Sequence, residues 1–420
     1  MTAVAPPVLH LSLIVGGELW SEDGGKVGRV DDLIVRLGED GYPPVTGLLA
    51  SVAGRQVFVP ADSISRIDQG RVTLAAARLD LRPFERRPQE VLLRKDVLDR
   101  QLINIDGARL VRSNDIELAR LDGWYRVVGV DVGLRGFARR LLPRSLAGGV
   151  KESSFLDWAS VEPFTGHVPT VRLRIPHPRL ARLHPAQLAD LVEAASHSEG
   201  GEIIDAVGVD PELEADLFTE LEAGHQAEFL EERSDEEVAA LLALMEADDA
   251  ADLVRELPDE RRERIVEELP RVQNRRVRAL LGFDPATAGG LMSPEFVCVY
   301  AQASVAEALE RVRRDPGPPD SLAWVFVMSS HKRLIGAITL PDLLRADPEL
   351  PVGDVAAVPQ RVRPDADLEE VARLMTDYDL TVVAVTDPEG RLVGVITVDD
   401  VLELVLPRGW RRRFGVLGDD

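Results

Sequence analysis

The stretch MEADDAADLVREL, residues 245–257, crowds three carboxylates, Asp248, Asp249 and Asp252, into five residues. Most of it reads as helix, and a helix brings residues four apart to one face, so Asp248 and Asp252 are neighbours. Like charges at that spacing cost a helix a few tenths of a kcal/mol. Two such carboxylates either answer a cation or a basic surface, or they form a solvated face. A second pattern occurs twice: Thr339 stands three residues before Asp342, and Thr397 three before Asp400. A Thr-x-x-Asp step caps a helix, its hydroxyl and carboxylate serving the free backbone N–H groups of the first turn.

Other chemistry is thin. The single cysteine, Cys298, lies in EFVCVY, which reads as a buried strand, and it excludes an internal disulfide framework. His10 and His167 are isolated, and His177 and His184 flank a proline-containing linker with no cysteine or adjacent carboxylate. There is no nucleophile–base pair, no phosphate-binding glycine loop and no Cys/His cluster, so an enzyme is not expected.

The formal charge is −23. Residues 190–260 hold 24 Asp and Glu against two arginines, Arg233 and Arg255, and so carry nearly the whole imbalance. Nucleic acid is an unsuitable partner for such a surface. No run approaches the ~18–20 apolar residues that span a bilayer, and the N-terminus lacks the basic region of a signal peptide. The expectation is a soluble, cytoplasmic protein.

The elements that position these groups change along the chain. KVGRVDDLIVRLG and RQVFVPADSISRI alternate as short strands. GKVGRVDDLIV compares with GARLVRSNDIEL, a glycine, a short strand, an acidic residue and further apolar residues in each. From LHPAQLADLVEA onward apolar residues recur at helical spacing. Pro185, Pro211 and Pro258 stand near helix starts, and Ser234 with Glu237 has capping-box spacing. Such short helices stack as helix-turn-helix units into a superhelix. In the last third, RLIGAITLPDLL (333–344) aligns with RLVGVITVDDVL (391–402) at an offset of 58. The order is β-α-β-β-α, twice.

The front half resembles the PRC-barrel family, which consists mostly of interaction modules. The repeat at the end resembles a pair of CBS motifs. Together with DDAADLVRELPDE and the join DPATAGGLMSPEFV, the region from about 180 to 403 resembles the cytosolic half of the MgtE magnesium transporter and channel family. The implied architecture is multidomain α+β. Its parts are a PRC-barrel-like domain at 8–82, a second PRC-like β-barrel at 88–165, a linker at 166–182 and an all-α MgtE N-type superhelix at 183–281. CBS motifs follow at 290–347 and 352–406, with a basic tail at 407–420.

The resemblance implies that Asp248 and Asp252 face the second CBS motif, where Asp400 and Glu403 complete a Mg²⁺ site. It also implies that Thr339 with Asp342, and Thr397 with Asp400, hold the ribose of ATP or another adenine nucleotide; helix capping is the competing role. Where the family continues into a connecting helix and membrane helices, this sequence runs into LPRGWRRRFGVLGDD. The expectation is therefore a Mg²⁺-sensing regulatory protein without a pore of its own. An adenine-nucleotide sensor and a ligand-free scaffold are the alternatives. The implied partners are a second copy through the CBS helices, and a separate membrane transporter or other protein through the barrels or the RGWRRR tail.

Overall fold

The structure is a computed structural model and describes residues 8–38, 41–75, 84–133, 155–164, 168, 179–315, 317 and 321–406. His167, His177 and the basic tail lie outside the described residues. The chain divides into two compact units, one ending at Leu213 and the other covering Glu214–Leu417.

The first unit is dominated by short antiparallel strands. The longest, Lys26–Arg36, pairs with Val45–Val52 and with Glu18–Trp20. Its counterpart, Asp115–Leu121, pairs with Trp124–Asp131. The two halves trade arms. Strand Leu9–His10 pairs with Asp115–Leu121, Leu9 opposite Leu118, while Glu90–Leu92 returns to Lys26–Arg36, Val91 opposite Val35. Each arm runs on into one helical turn, Leu11–Ile14 or Leu93–Val97.

Each turn is anchored on an aspartate of the opposite half. The backbone N–H of Ser12 donates to Asp115 Oδ1 at 3.0 Å, and that of Arg94 to Asp32 Oδ1 at 2.8 Å. Both arms then leave through a residue at positive φ, Gly16 (74°) and Asp99 (66°). These donate to Val30 O and Ser113 O at 2.7 and 2.8 Å. The same contacts thus recur about 83 residues apart, as a duplication with exchanged arms. One core serves both halves, uniting Leu33, Leu48 and Val35 with Leu93, Ile116, Leu118 and Val130. Helices Pro185–Ala194 and His197–Val207 close this unit, opened by capping boxes at His184/Gln187 and Ser196/Glu199.

In the second unit, helices Ala223–Glu231, Asp235–Leu242, Ala247–Glu256, Asp259–Glu268 and Arg271–Leu280 wind so that each packs on the next but one. Arginines from later helices satisfy the carbonyls that end earlier ones. Arg261 donates to Leu230 O (3.0 Å) and Arg233 O (2.7 Å), and Arg262 to Leu257 O (2.7 Å). The expected capping box at Ser234/Glu237 is present.

The last part folds as two copies of β-α-β-β-α, each on a three-stranded sheet. Trp324 is opposite Thr339 in the first hairpin and Val382 opposite Thr397 in the second, and both bulge at equivalent places, Val327/Met328 and Val385/Thr386. Both hairpin turns need positive φ, supplied by Lys332 and Gly390, again 58 apart. Phe326, Ala337, Ala384 and Val395 join the two copies in one core. Cys298 lies on strand Val297–Tyr300, half-buried, and burial pushes its thiol up.

Candidate functional site

Helix Ala247–Glu256 buries Ala247, Ala250, Ala251, Leu253 and Val254. That face holds the helix in the stack and leaves Glu246, Asp248, Asp249 and Asp252 on the other. Asp248 and Asp249 lie in the first turn, where the helix N-terminus favours negative charge. Helix Val398–Val405 of the second CBS motif buries only Val401 and carries Asp399 and Asp400 in its first turn.

The join holds these helices near one another. Ala288 N and Gly289 N donate to Ala366 O and Pro364 O of the second CBS motif, both at 2.8 Å. Ser293 and Val395 exchange backbone hydrogen bonds at 2.8 and 2.9 Å. Arg276 ion-pairs with Glu295 across the join. A Cβ on Gly290 would meet Asp284 O at 2.3 Å, closer than real contacts allow. Gly290→Ala should therefore loosen the join, and limited proteolysis should cut 282–293 at least several-fold faster than in the wild type.

With the join seated, the acidic helix and the last CBS helix interact through their carboxylates. Burial first, then repulsion from Asp249 and Asp400, raises Asp248 well above the usual carboxylate range. Burial first, then Glu246, Asp400, Glu403 and Asp252, pushes Asp249 up to about 7. Burial raises Asp252 and Glu403 repels it, while its ion pair with Arg255 works the other way. Burial raises Asp400 too, against the hydrogen bonds it accepts from Thr397, with Asp399 and Glu403 adding repulsion. Asp248 is half-buried as a residue, but its Oδ1 is shut off from water and has no hydrogen-bond partner. A buried carboxylate oxygen without a donor costs free energy unless something cationic reaches it.

The sequence-expected residues Asp248, Asp252, Asp400 and Glu403 thus meet in one acidic focus. Asp249 and Glu246 also belong to it and were missed. Their spacing was the available signal, since Glu246, Asp249 and Asp252 recur every third residue. The donors are all carboxylate oxygens, a set suited to a hard cation that keeps some of its waters. An orphaned buried oxygen among them fits such an ion.

The two Thr/Asp steps cap their helices. Thr339 Oγ1 lies 2.7 Å from Asp342 Oδ2, and Thr397 Oγ1 lies 2.8 Å from Asp400 Oδ2. The copies differ one turn later. Glu403 stands where the first copy has Arg345, and Arg345 ion-pairs with Asp342 at 3.4 Å. At this position the first copy thus sets an arginine beside its capping aspartate, whereas the second sets a second acid, Glu403, beside Asp400.

Residues 183–286 match the MgtE intracellular N domain, and residues 288–349 and 352–407 each match the CBS domain. Magnesium transporter MgtE of Thermus thermophilus is 45% identical over 130 residues, 31% of this chain and 29% of its own length. That of Bacillus subtilis is 28% identical over 193 residues, 46% of this chain and 43% of its own. The chain thus spans less than half the length of these curated relatives.

A crystal structure of the cytosolic domain of the Mg²⁺ channel MgtE in complex with ATP matches at TM-score 0.52 and 33% identity, covering 56% of this chain and 94% of that one. The soluble part of a magnesium transporter matches at TM-score 0.50 and 26% identity, covering 54% and 90%. Among the described residues, no helix is long and apolar enough to cross a membrane. Over residues 183–407 this chain belongs to the MgtE family, as its N domain and CBS pair.

Proposed function

We propose that the helical domain and the second CBS motif form a Mg²⁺-responsive regulatory module in a cytoplasmic protein. The observation that carries this reading is the convergence of Asp248, Asp249, Asp252, Asp400 and Glu403 from two domains, with one shielded oxygen lacking a donor. At an effective dielectric of ~20, two unit charges 4 Å apart repel by about 4 kcal/mol. Without a divalent cation the two helices are driven apart; with one they close. Affinity then depends on closure, and the bound ion shifts the population of closed molecules. Asp248, Asp249 and Asp400 supply the inner carboxylates, while Asp252 and Glu403 lie at the rim.

The test uses the full chain. Mg²⁺ at ~10 mM, roughly tenfold above the ~1 mM dissociation constants of weak carboxylate sites, should give a calorimetric binding isotherm and protect the 282–293 join from protease. Monovalent salt at matched ionic strength should do much less, because screening is not coordination. Equal protection by both salts, with no binding heat, would refute the reading.

That the matching crystal structure of the MgtE cytosolic domain is a complex with ATP supports a second reading. In it, Thr339 with Asp342 and Thr397 with Asp400 give up part of their capping bonds to a ribose. ATP should then raise the melting temperature, and Thr397→Val should remove more of that rise than Glu403→Ala. The output is a protein contact, with a second copy through the CBS helices or with a separate membrane transporter; sedimentation of the full chain with and without Mg²⁺ tests the first.

A further inference from the structure

Helix Ala247–Glu256 carries one basic residue in its last turn, Arg255, three residues after Asp252. That spacing sets the two side chains on one face of the helix. The guanidinium is a bridge. Its Nη1 ion-pairs with Asp252 Oδ1, and its Nη2 donates to Leu280 O at 2.9 Å. Leu280 ends helix Arg271–Leu280, so no N–H of that helix reaches its carbonyl. The backbone of the arginine is held as well, since Arg262 Nη2 donates to Arg255 O at 2.5 Å. The side chain of Arg255 is 18% exposed, against 62% for that of Asp252. One end of the fork is thus fixed by a helix terminus and the other by a member of the acidic focus. The neighbouring charges that act most on Asp248 and Asp249 are acids, whereas the one that acts most on Asp252 is Arg255.

We propose that Arg255 is a positioning residue that holds Asp252 at the rim, out of the inner set of carboxylates, and so sets how much Mg²⁺ the module needs. The inference rests on the metal reading above. Both partners sit on one helix, so the pair stays made whether or not the last CBS helix closes on it. An ion that recruited Asp252 would have to break this pair. It would leave a mostly buried guanidinium, tied to Leu280 O, without its counter-charge. The affinity of a carboxylate site follows the number of charged ligands and the rigidity of their setting. An aspartate already paired with arginine adds little to that number, and a released one adds a full charge.

The test is calorimetric titration of the full chain with MgCl₂, comparing wild type, Arg255→Gln, Asp252→Asn and the two combined. With Asp252 released to the ion, Arg255→Gln should bind Mg²⁺ about tenfold more tightly. That gain should vanish in the Asp252→Asn background. A merely structural arginine would lower the melting temperature in both backgrounds and tighten binding in neither. Asp252→Asn alone leaves Arg255 and its bond to Leu280 O in place, and so serves even if the arginine variant fails to fold. It should weaken binding by less than about threefold, because the carboxylate it removes is already engaged in an exposed pair. Unchanged or weaker binding by Arg255→Gln, a gain that survives Asp252→Asn, or a loss of about tenfold or more from Asp252→Asn alone would overturn the assignment. Absence of binding heat in every chain is a distinct result, and would refute the metal reading and this inference with it.

Discussion

Asp248→Asn combined with Asp249→Asn should raise the melting temperature of the metal-free protein at pH 8 and erase its response to Mg²⁺. The carboxyl of Asp249, held up at about 7 by burial and its acidic neighbours, shows how costly ionisation is there. Each pKa unit is worth about 1.4 kcal/mol. Halving the three-unit displacement for solvent screening leaves roughly 2 kcal/mol, or about 4–8 °C for a unit of some 200 residues.

The pH dependence has a definite sign. A carboxyl whose folded pKa lies above its unfolded value binds protons more tightly when the interface is closed, so its charge destabilises that state increasingly as pH rises from about 4 to 7. The wild type without metal should therefore be more stable at pH 5 than at pH 8, and Mg²⁺ should stabilise it more at pH 8, where protons no longer compete. Calorimetric melts of wild type and variant at both pH values, with Mg²⁺ and with EDTA, check this. A double variant no more stable than wild type at pH 8 would mean that the carboxylates never crowd.

Asp115→Ala should cost the first unit about 4 kcal/mol. Asp115 is fully buried and accepts from Ser12 N (3.0 Å), Ser12 Oγ (2.6 Å) and Ile116 N (2.9 Å). Hydrogen bonds to a charged group are worth ~1.5–3 kcal/mol each, and their loss leaves donors unsatisfied. Ser12→Ala removes only the hydroxyl and should cost about 1 kcal/mol. Asp32→Ala, which strands the N–H groups of Leu33, Arg94 and Lys95, should resemble Asp115→Ala. Guanidinium unfolding followed by tryptophan fluorescence gives the three values. If Asp115→Ala is no worse than Ser12→Ala, the aspartate does not hold the arm.

Legibility in the sequence followed how much side-chain identity each feature requires. The CBS repeat was plain because equivalent turns, bulges and caps need equivalent residue types, and Thr397–Asp400 repeats Thr339–Asp342 at the same spacing. The acidic focus was half visible. Spacing of four picks out Asp248 and Asp252, but the facing surface of a helix is over 100° wide and takes in Asp249 as well. The exchanged arms were invisible. Leu9–His10 is too short to show a period, and LSLI and LRKDV share little except leucine at their start. What binds each turn is a backbone N–H given to an aspartate, and every residue but proline has one.

That exchange also orders events during synthesis. Leu9 emerges from the ribosome long before its partner Leu118, so the first arm must wait, unpaired, for the second half to be made. The first half is likewise incomplete until Glu90–Leu92 has been translated. Neither half is a self-sufficient folding unit, and pairings this distant along the chain form slowly. The nascent first half therefore exposes an apolar strand edge over that interval, the kind of surface that is prone to aggregate before its partner is made.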